Sequence, residues 1–382
     1  MPIDTSVLGE KLKRYRAQFS LTFPEVSQAT GVSEQRLKEF ESGSRFPSGD
    51  EILILADFYK CDYKFFVSNE RLAPFEETET LFRRYGEEFS KQDRWAVQEF
   101  LFLSECESFL QSELGKKPKS AFQVRKTGTS FTRQGEDAAL KLREHLGYSA
   151  RAVSLDIYRD FRSVGIHVFR RKLENSNISG LYIKHPLAGN CILVNYSEDV
   201  YRQRFTAAHE AGHAILDSTD SFIVSLASDK RRTQEIRANA FAAHYLAPSS
   251  FLRAIPESHE WSQPKAIEWA NKLKISTEAL AYALSREKLI TADMVEVIKS
   301  VRVPRRDKSD PEIPPSLAPK SQARKRQLLE AGLSNYYVSL CFNAYREGLV
   351  SASRLMEMLL LQDNSALNGL ATLYGEHLQY AS

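Results

Sequence analysis

The stretch that decides the fold of the second half of this chain is RFTAAHEAGHAIL, residues Arg204–Leu216. Its apolar and alanine residues follow helical spacing, which predicts a buried helix. His209, Glu210 and His213 interrupt this apolar run with titratable groups. Because residues four apart lie on one face of a helix, the two histidines can bind one metal ion. Glu210 stands beside them, where a carboxylate can act on a water molecule as a base.

A catalytic zinc ion takes three protein ligands and keeps its fourth position for water. One more ligand must therefore come from another part of the chain. The best candidate is Glu235, in the helical stretch EIRANAFAAHYLAP (235–248). Asn239 follows four residues later, and we expect it to hydrogen-bond the free ring nitrogen of a ligand histidine. The alternative for Glu235 is a solvated charge near a helix end.

Other polar residues around these motifs have less specific interpretations. His244 lies nine residues after Glu235, near the opposite stripe of the same helix, so we interpret it as structural or at most substrate-facing. When a water molecule attacks a carbonyl group, the carbonyl oxygen gains negative charge and needs a hydrogen-bond donor. His244, Tyr245 and Tyr196 are alternative candidates for that donor, and the sequence does not separate them.

The start of the chain has the pattern of a helix-turn-helix. Two short helical segments flank the turn ATGVS (29–33), in which Gly31 suits the turn and Ser33 can N-cap the second helix. Five apolar residues are expected to pack between the helices: Val26, Ala29, Val32, Leu37 and Phe40. A second helix of this kind fits the DNA major groove. We expect its exposed polar residues to contact DNA: Glu34, Gln35, Arg36 and Lys38.

Two resemblances give these motifs a context. The runs LGEKLKRYR (8–16) and VSEQRLKEFESGSRFP (32–47) resemble the Xre/Cro family of DNA-binding domains, over about the first 65 residues. The runs 192–216 and 235–248 resemble the ImmA/IrrE family of zinc metallopeptidases, over residues 135–290. The second resemblance implies a zincin-like α+β domain with Zn²⁺ as cofactor. It also implies proteolysis of a helix-turn-helix repressor as the activity.

Two features of the N-terminal region count against DNA binding. Xre-type domains often place a glutamine near the start of the first of the two helices, where it touches DNA, and this chain has Phe23 there. Residues 1–67 also carry nine Lys and Arg against ten Asp and Glu, although phosphate binding usually relies on basic charge. A helical module used for dimerisation or protein contact is therefore the alternative.

The chain divides into five parts by composition. We expect a helix-turn-helix domain at 1–67, a helical connector at 68–134, a metallopeptidase domain at 135–300, a linker at 301–326 and a helical region at 327–382. Segments 165–173, 179–185 and 190–196 are typical of strands, and helices are expected to dominate from Val200 to about Ile298. The linker holds five prolines and an excess of basic residues. The predicted fold is thus mostly α with a small β-sheet.

Composition indicates in which compartment the protein works. The chain has 382 residues, 42% hydrophobic and 26% charged, with a net charge of +3, and no apolar run long enough to span a membrane. The start has no secretion signal and the four cysteines form no close pair, so we expect a cytoplasmic protein with reduced thiols.

The resulting hypothesis is a DNA-binding transcriptional regulator with a zinc endopeptidase domain. Its partners would be a double-stranded DNA operator and a protein substrate, which is a repressor or the chain itself. Two-fold operators make a homodimer the expected assembly. One alternative is a transcription factor whose metal domain senses a signal without proteolysis. The other is a protease whose N-terminal module docks its substrate.

Overall fold

The computed structural model describes residues 3–61, 63–69, 81–82, 85, 88–118, 120–218, 220–226, 233–258 and 260–378. It divides into two compact units, residues 1–102 and 103–382. The described chain is largely helical and contains one four-stranded sheet. This confirms the predicted fold class.

The first unit is helical. Its helices are α1 Thr5–Gln18, α2 Phe23–Thr30, α3 Glu34–Glu41, α4 Gly49–Phe58 and α5 Tyr63–Val67, followed by the first part of α6 Lys91–Glu113. Part of the predicted connector, at 70–80, lies outside the described residues.

The two helices of the predicted helix-turn-helix are α2 and α3, and local sequence sets their ends. Thr22 and Glu25 form a capping box at the start of α2, and Gly31 ends that helix with a φ of 73°, which favours glycine. The Ser33 side chain accepts from Arg36 N and so caps α3. Four of the five expected core residues are buried: Val26, Val32, Leu37 and Phe40. Ala29 is exposed, because it lies in the last turn of a helix of only eight residues.

The second unit contains the sheet and the remaining helices. Before and around the sheet lie α7 Phe131–His145, α8 Ile157–Ser163, β1 Ile166–Arg171, β2 Ile178–His185, β3 Gly189–Asn195, α9 Val200–Leu216, β4 Phe222–Leu226 and α10 Thr233–Leu246. The helices that follow are α11 Ser249–Leu252, α12 Gln263–Leu273, α13 Thr277–Arg286, α14 Ala292–Lys299, α15 Pro319–Glu330, α16 Asn335–Arg346, α17 Ala352–Met358 and α18 Asn364–Tyr374.

The strand order in the sheet is β1-β3-β2-β4. β1 pairs with β3 in parallel, whereas β2 pairs antiparallel with both β3 and β4. The three predicted strands are present, but β4 was not predicted and lies inside the region expected to be helical. It has only five residues and forms one edge of the sheet, so its pattern is too short to stand out between two helices.

The sheet separates two buried layers within the second unit. On one face, β-branched and aromatic residues such as Val168 and Ile192 join a core with alanines of α9 and α10. On the other face, Phe169 packs edge-on against Tyr337 of α16. The buried imidazole of His167 also lies on this other face, with Nδ1 2.8 Å from an oxygen of Glu107 in α6.

The predicted linker at 301–326 is partly ordered. A short 3₁₀ helix spans Arg305–Asp307, and Pro319 begins α15, because proline is well suited to the first turn of a helix. Asp310 lies between these two helices in the sequence. It accepts two hydrogen bonds, of 2.6 and 3.1 Å, from the buried guanidinium of Arg170. Buried charge thus anchors a segment whose composition indicates a free linker. The five-part domain division as a whole stays a prediction.

Two smaller expectations concern membranes and thiols. Among the described residues, no helix is both long and apolar enough to cross a bilayer. All four cysteines are buried and outside any disulfide, as expected for reduced thiols: Cys61, Cys106, Cys191 and Cys341.

Candidate metal centre

Two helices bring the candidate ligands together. Fourteen residues of the helix α9 are buried. Its alanines and Gly212 are small, so α10 can pack closely against it. A Cβ on Gly212 would lie 3.2 Å from Ala238 Cα and from the ring of Phe241. This close packing places Glu235 of α10 opposite His209 and His213 of α9.

The three side chains form the one group of metal-binding type found in the described part of the chain. His209 Nε2 is 3.1 Å from His213 Nε2 and 3.1 Å from Glu235 Oε2. His213 Nε2 is 3.4 Å from Glu235 Oε1. Ligands at zinc–nitrogen distances in a tetrahedron are separated by about 3.3 to 3.4 Å, so this donor set fits a zinc-sized cation.

The other ring nitrogens have partners that set the tautomers. His209 Nδ1 lies 3.0 Å from Asn239 Oδ1, the contact expected from the sequence. His213 Nδ1 lies 3.3 Å from Asp217 Oδ2. Because both partners are acceptors, each Nδ1 carries hydrogen, and each Nε2 is the atom that would bind a metal ion or, in a protonated ring, donate to Glu235.

The charge balance of this buried cluster also favours a cation. Burial raises the pKa of Glu235, but hydrogen bonds from the two histidines outweigh it and lower the pKa to about 2. Burial lowers the pKa of His213, but Asp217 and Glu235 outweigh it and raise the pKa to about 9. The carboxylates of Glu235 and Asp217 thus favour positive charge at the histidine rings. A divalent metal ion bound to the ring nitrogens supplies that charge in place of a proton.

Glu210 is fully buried, and neither of its carboxylate oxygens has a hydrogen-bond partner within the described structure. Burial raises the pKa of this carboxyl group, and the adjacent histidines only partly offset that effect. An orphaned carboxylate is costly to bury, so its retention beside three candidate ligands is typical of a functional group.

The sequence did not single out Gly180, although a glycine inside a strand signals close approach of another group. A Cβ there would lie 2.9 Å from Glu210 Oε1, 2.9 Å from Leu193 O and 2.7 Å from Thr206 Cγ2. The absence of a side chain lets β2 lie against α9 at Glu210.

We expect Gly180→Ala to destabilise the chain by about 1–3 kcal/mol, because backbone and carboxylate atoms must shift to admit the methyl group. Urea unfolding of the full chain measures this. Gly369→Ala is the control, because a Cβ at this helical position meets nothing within 4 Å. A Gly180 variant as stable as the parent would show that the strand and α9 can separate freely.

The three candidate donors to the charged oxygen have other partners in the structure. His244 Nδ1 donates to Ala240 O at 2.8 Å, and its Nε2 is 3.6 Å from Glu136, which matches a structural role. The Tyr245 hydroxyl donates to Asp160 at 2.7 Å. The ring of Tyr196 lies against the guanidinium of Arg170, 5.6 Å from the ring centre.

The candidate DNA contacts on α3 differ in exposure. Gln35 and Lys38 are exposed, while Glu34 is half-exposed and lies 3.7 Å from Lys38. Arg36 was expected to be exposed, but it is half-buried and its Nη2 lies 2.7 Å from Glu51. Glu51 belongs to the capping box of α4, so Arg36 ties α3 to α4.

Comparison with known proteins finds matches to two segments of the chain. Residues 161–285 match the IrrE N-terminal-like domain of the Peptidase M78 family, and residues 7–63 match a helix-turn-helix domain. The radiation response metalloprotease IrrE of Deinococcus radiodurans is 31% identical over 103 residues, which are 26% of this chain. The match spans 31% of that relative's length.

One solved structure also aligns with the chain. It is PlcR of Bacillus thuringiensis in complex with the peptide PapR7 and DNA, which is 11% identical. The alignment covers 97% of each chain with a TM-score of 0.16. A score this low carries no conclusion about the arrangement of this chain.

Proposed function

We propose that this chain, in which a helix-turn-helix domain is fused to an IrrE-like domain of a metallopeptidase family, is a DNA-binding regulator with a zinc-dependent endopeptidase site. The observation that carries the proposal is the buried, unpartnered carboxylate of Glu210 beside a set of three convergent metal donors. The named relative is a metalloprotease, which supports the same chemistry.

Each residue of the site has a role in this proposal. His209, His213 and Glu235 hold the zinc ion, and Asn239 and Asp217 fix the two imidazoles. When bound, zinc supplies Lewis acidity toward water and a peptide carbonyl. Glu210 accepts a proton from the attacking water on a carboxylate oxygen. It then passes that proton to the amide nitrogen as the C–N bond breaks, so one water is consumed per bond cleaved.

The substrate we propose is a helix-turn-helix repressor or the chain itself, so that cleavage changes gene expression. The test incubates the zinc-loaded full chain with repressors encoded near its gene and identifies fragments by mass spectrometry. Fragments that disappear when zinc is chelated support the proposal. If the chain binds zinc and shifts DNA but no fragment of any partner or of itself appears, the site is a non-proteolytic sensor.

For the first unit we propose binding to a double-stranded DNA operator, with Gln35 and Lys38 as the exposed contacts of α3 and Glu34 beside them. Arg36 would act through its ion pair with Glu51, by holding α3 in place. We expect the operator-bound form to be a homodimer, and a chromosomal operator would place this function in the cytoplasm.

We expect Lys38→Gln to weaken binding to all DNA sequences and to lower the salt slope by about 1, because one phosphate contact is lost. Gln35→Ala should cost about 1–3 kcal/mol on the preferred sequence alone. Fluorescence anisotropy at several salt concentrations, with duplexes selected from a random pool, measures both effects.

The matched control is Lys91→Gln. It removes an exposed lysine that pairs with Glu25, outside the segment that matches the helix-turn-helix family. An unchanged salt slope in Lys38→Gln would exclude α3 as the helix that contacts DNA. If the chain binds no DNA at all, the N-terminal module docks proteins instead.

A further inference from the structure

Asp217, the residue that ends α9, lies behind the candidate metal centre. Its side chain is 1% exposed. One oxygen, Oδ2, faces His213 Nδ1 at 3.3 Å. The other oxygen, Oδ1, accepts from the Nη2 of Arg237 and lies 3.4 Å from the Nζ of Lys126. One buried carboxylate is thus shared between a candidate metal ligand and two cations.

The two cations differ in how they are held. Arg237 is buried in α10 between Glu235 and Asn239, and its Nη1 also donates to Gln134 at 3.1 Å. Arg237 therefore fixes the position of Asp217. The side chain of Lys126 is 40% exposed. Because Arg237 holds Asp217, we expect removal of the Lys126 charge to leave the position of Asp217 unchanged.

Lys126 lies near the end of the predicted connector, in residues 121–128, which precede the segment that matches the peptidase family. Residues 121–128 lie against the ends of α8 and α9, because Phe122 N donates at 3.0 Å to the carbonyl of Val164, which caps α8, and Val124 N donates to Ile215 O at 3.4 Å. Ile215 lies two residues before Asp217, so these bonds bring Lys126 to the end of the metal-binding helix.

The charge of Lys126 acts on the metal through this chain of contacts. A carboxylate that accepts the Nδ1 hydrogen of an imidazole makes its Nε2 a stronger ligand. A cation on the opposite carboxylate oxygen draws charge away from the imidazole, and it also repels a metal cation directly. Both effects have the same sign and weaken metal binding.

We propose that Lys126 lowers the zinc affinity of the site through Asp217, so that the connector regulates how much of the protein carries metal. This inference rests on one part of the proposed function, the binding of zinc by His209, His213 and Glu235. It does not depend on hydrolysis. Lys126 acts electrostatically through Asp217, because its Nζ lies against that carboxylate and not against the three candidate ligands.

The test measures zinc affinity of the full chain by competition with a chromophoric chelator. Lys126→Gln should bind zinc about three- to tenfold more tightly, because a partly exposed charge acts over several ångströms. Lys126→Arg, which keeps the charge, should stay within about twofold of the parent. Lys320→Gln, which removes an exposed lysine from α15 in the same unit, should leave the affinity unchanged.

The direction of the change separates this role from a merely structural one. If the contact only held the connector in place, Lys126→Gln would bind zinc as the parent does or more weakly, and either result would overturn the inference. Lys126→Arg binding as tightly as Lys126→Gln would overturn it as well. A parent chain that binds no zinc would refute the proposed function itself. Tighter zinc binding in Lys126→Gln with no detectable proteolysis would leave this inference standing.

Discussion

Replacing Glu210 with glutamine is expected to lower peptide hydrolysis by about 10²- to 10⁴-fold while zinc content stays at the parent level. Glutamine keeps the shape of the side chain but cannot accept a proton from water. Glu210 is not one of the three grouped donors, so its amide should leave the metal cluster intact. The measurements are fragment formation by mass spectrometry and zinc per chain in the same preparations.

Glu136→Gln is the matched control for this experiment. It removes a carboxylate of the same unit, 3.6 Å from His244, and outside the metal group. We expect it to cleave as the parent does. If Glu210→Gln retains every proteolytic and derepression phenotype, the proposal of an active peptidase is wrong and the sensor alternative is favoured.

Removing a metal ligand is expected to have the second large effect. His213→Ala and Glu235→Ala should each lose most of their zinc, because both side chains are buried and no fourth donor belongs to the described group. Asn239→Ala should weaken zinc affinity by about 10- to 100-fold, which is typical for the partner of a ligand histidine. Zinc per chain after dialysis, together with affinity by chelator competition, measures these changes.

His244→Gln is the control for the ligand variants, since His244 binds a backbone carbonyl away from the cluster. It should keep its zinc. Glu235→Gln serves as a second variant at that position if the alanine variant fails to fold. Loss of zinc in the His213 variant but not in either Glu235 variant would show that the third ligand comes from elsewhere.

The group of candidate metal ligands could be anticipated because its signals are local. His209 and His213 share a helix face, and Glu235 and Asn239 share another, so helical spacing predicts which side chains lie together within each helix. The caps of the helix-turn-helix are equally local, since Thr22, Gly31 and Ser33 act on neighbouring residues.

What was missed depends on tertiary contacts. Asp217 is four residues after His213, and that spacing was a usable signal, but its cations Arg237 and Lys126 come from separate segments. The strand β4 is stabilised by pairing with β2 and not by its own short pattern. The order in 301–326 depends on Arg170, which lies more than a hundred residues away in the sequence.

Anomalous X-ray scattering at the zinc absorption edge, from crystals of the full chain, shows directly whether the three candidate ligands bind zinc. We predict one zinc peak at about 2.0–2.2 Å from His209 Nε2, His213 Nε2 and a carboxylate oxygen of Glu235, with Glu210 facing it but not bound. Zinc-loaded crystals without a peak there, or with Glu210 in place of Glu235 as a ligand, would contradict the proposed metal site.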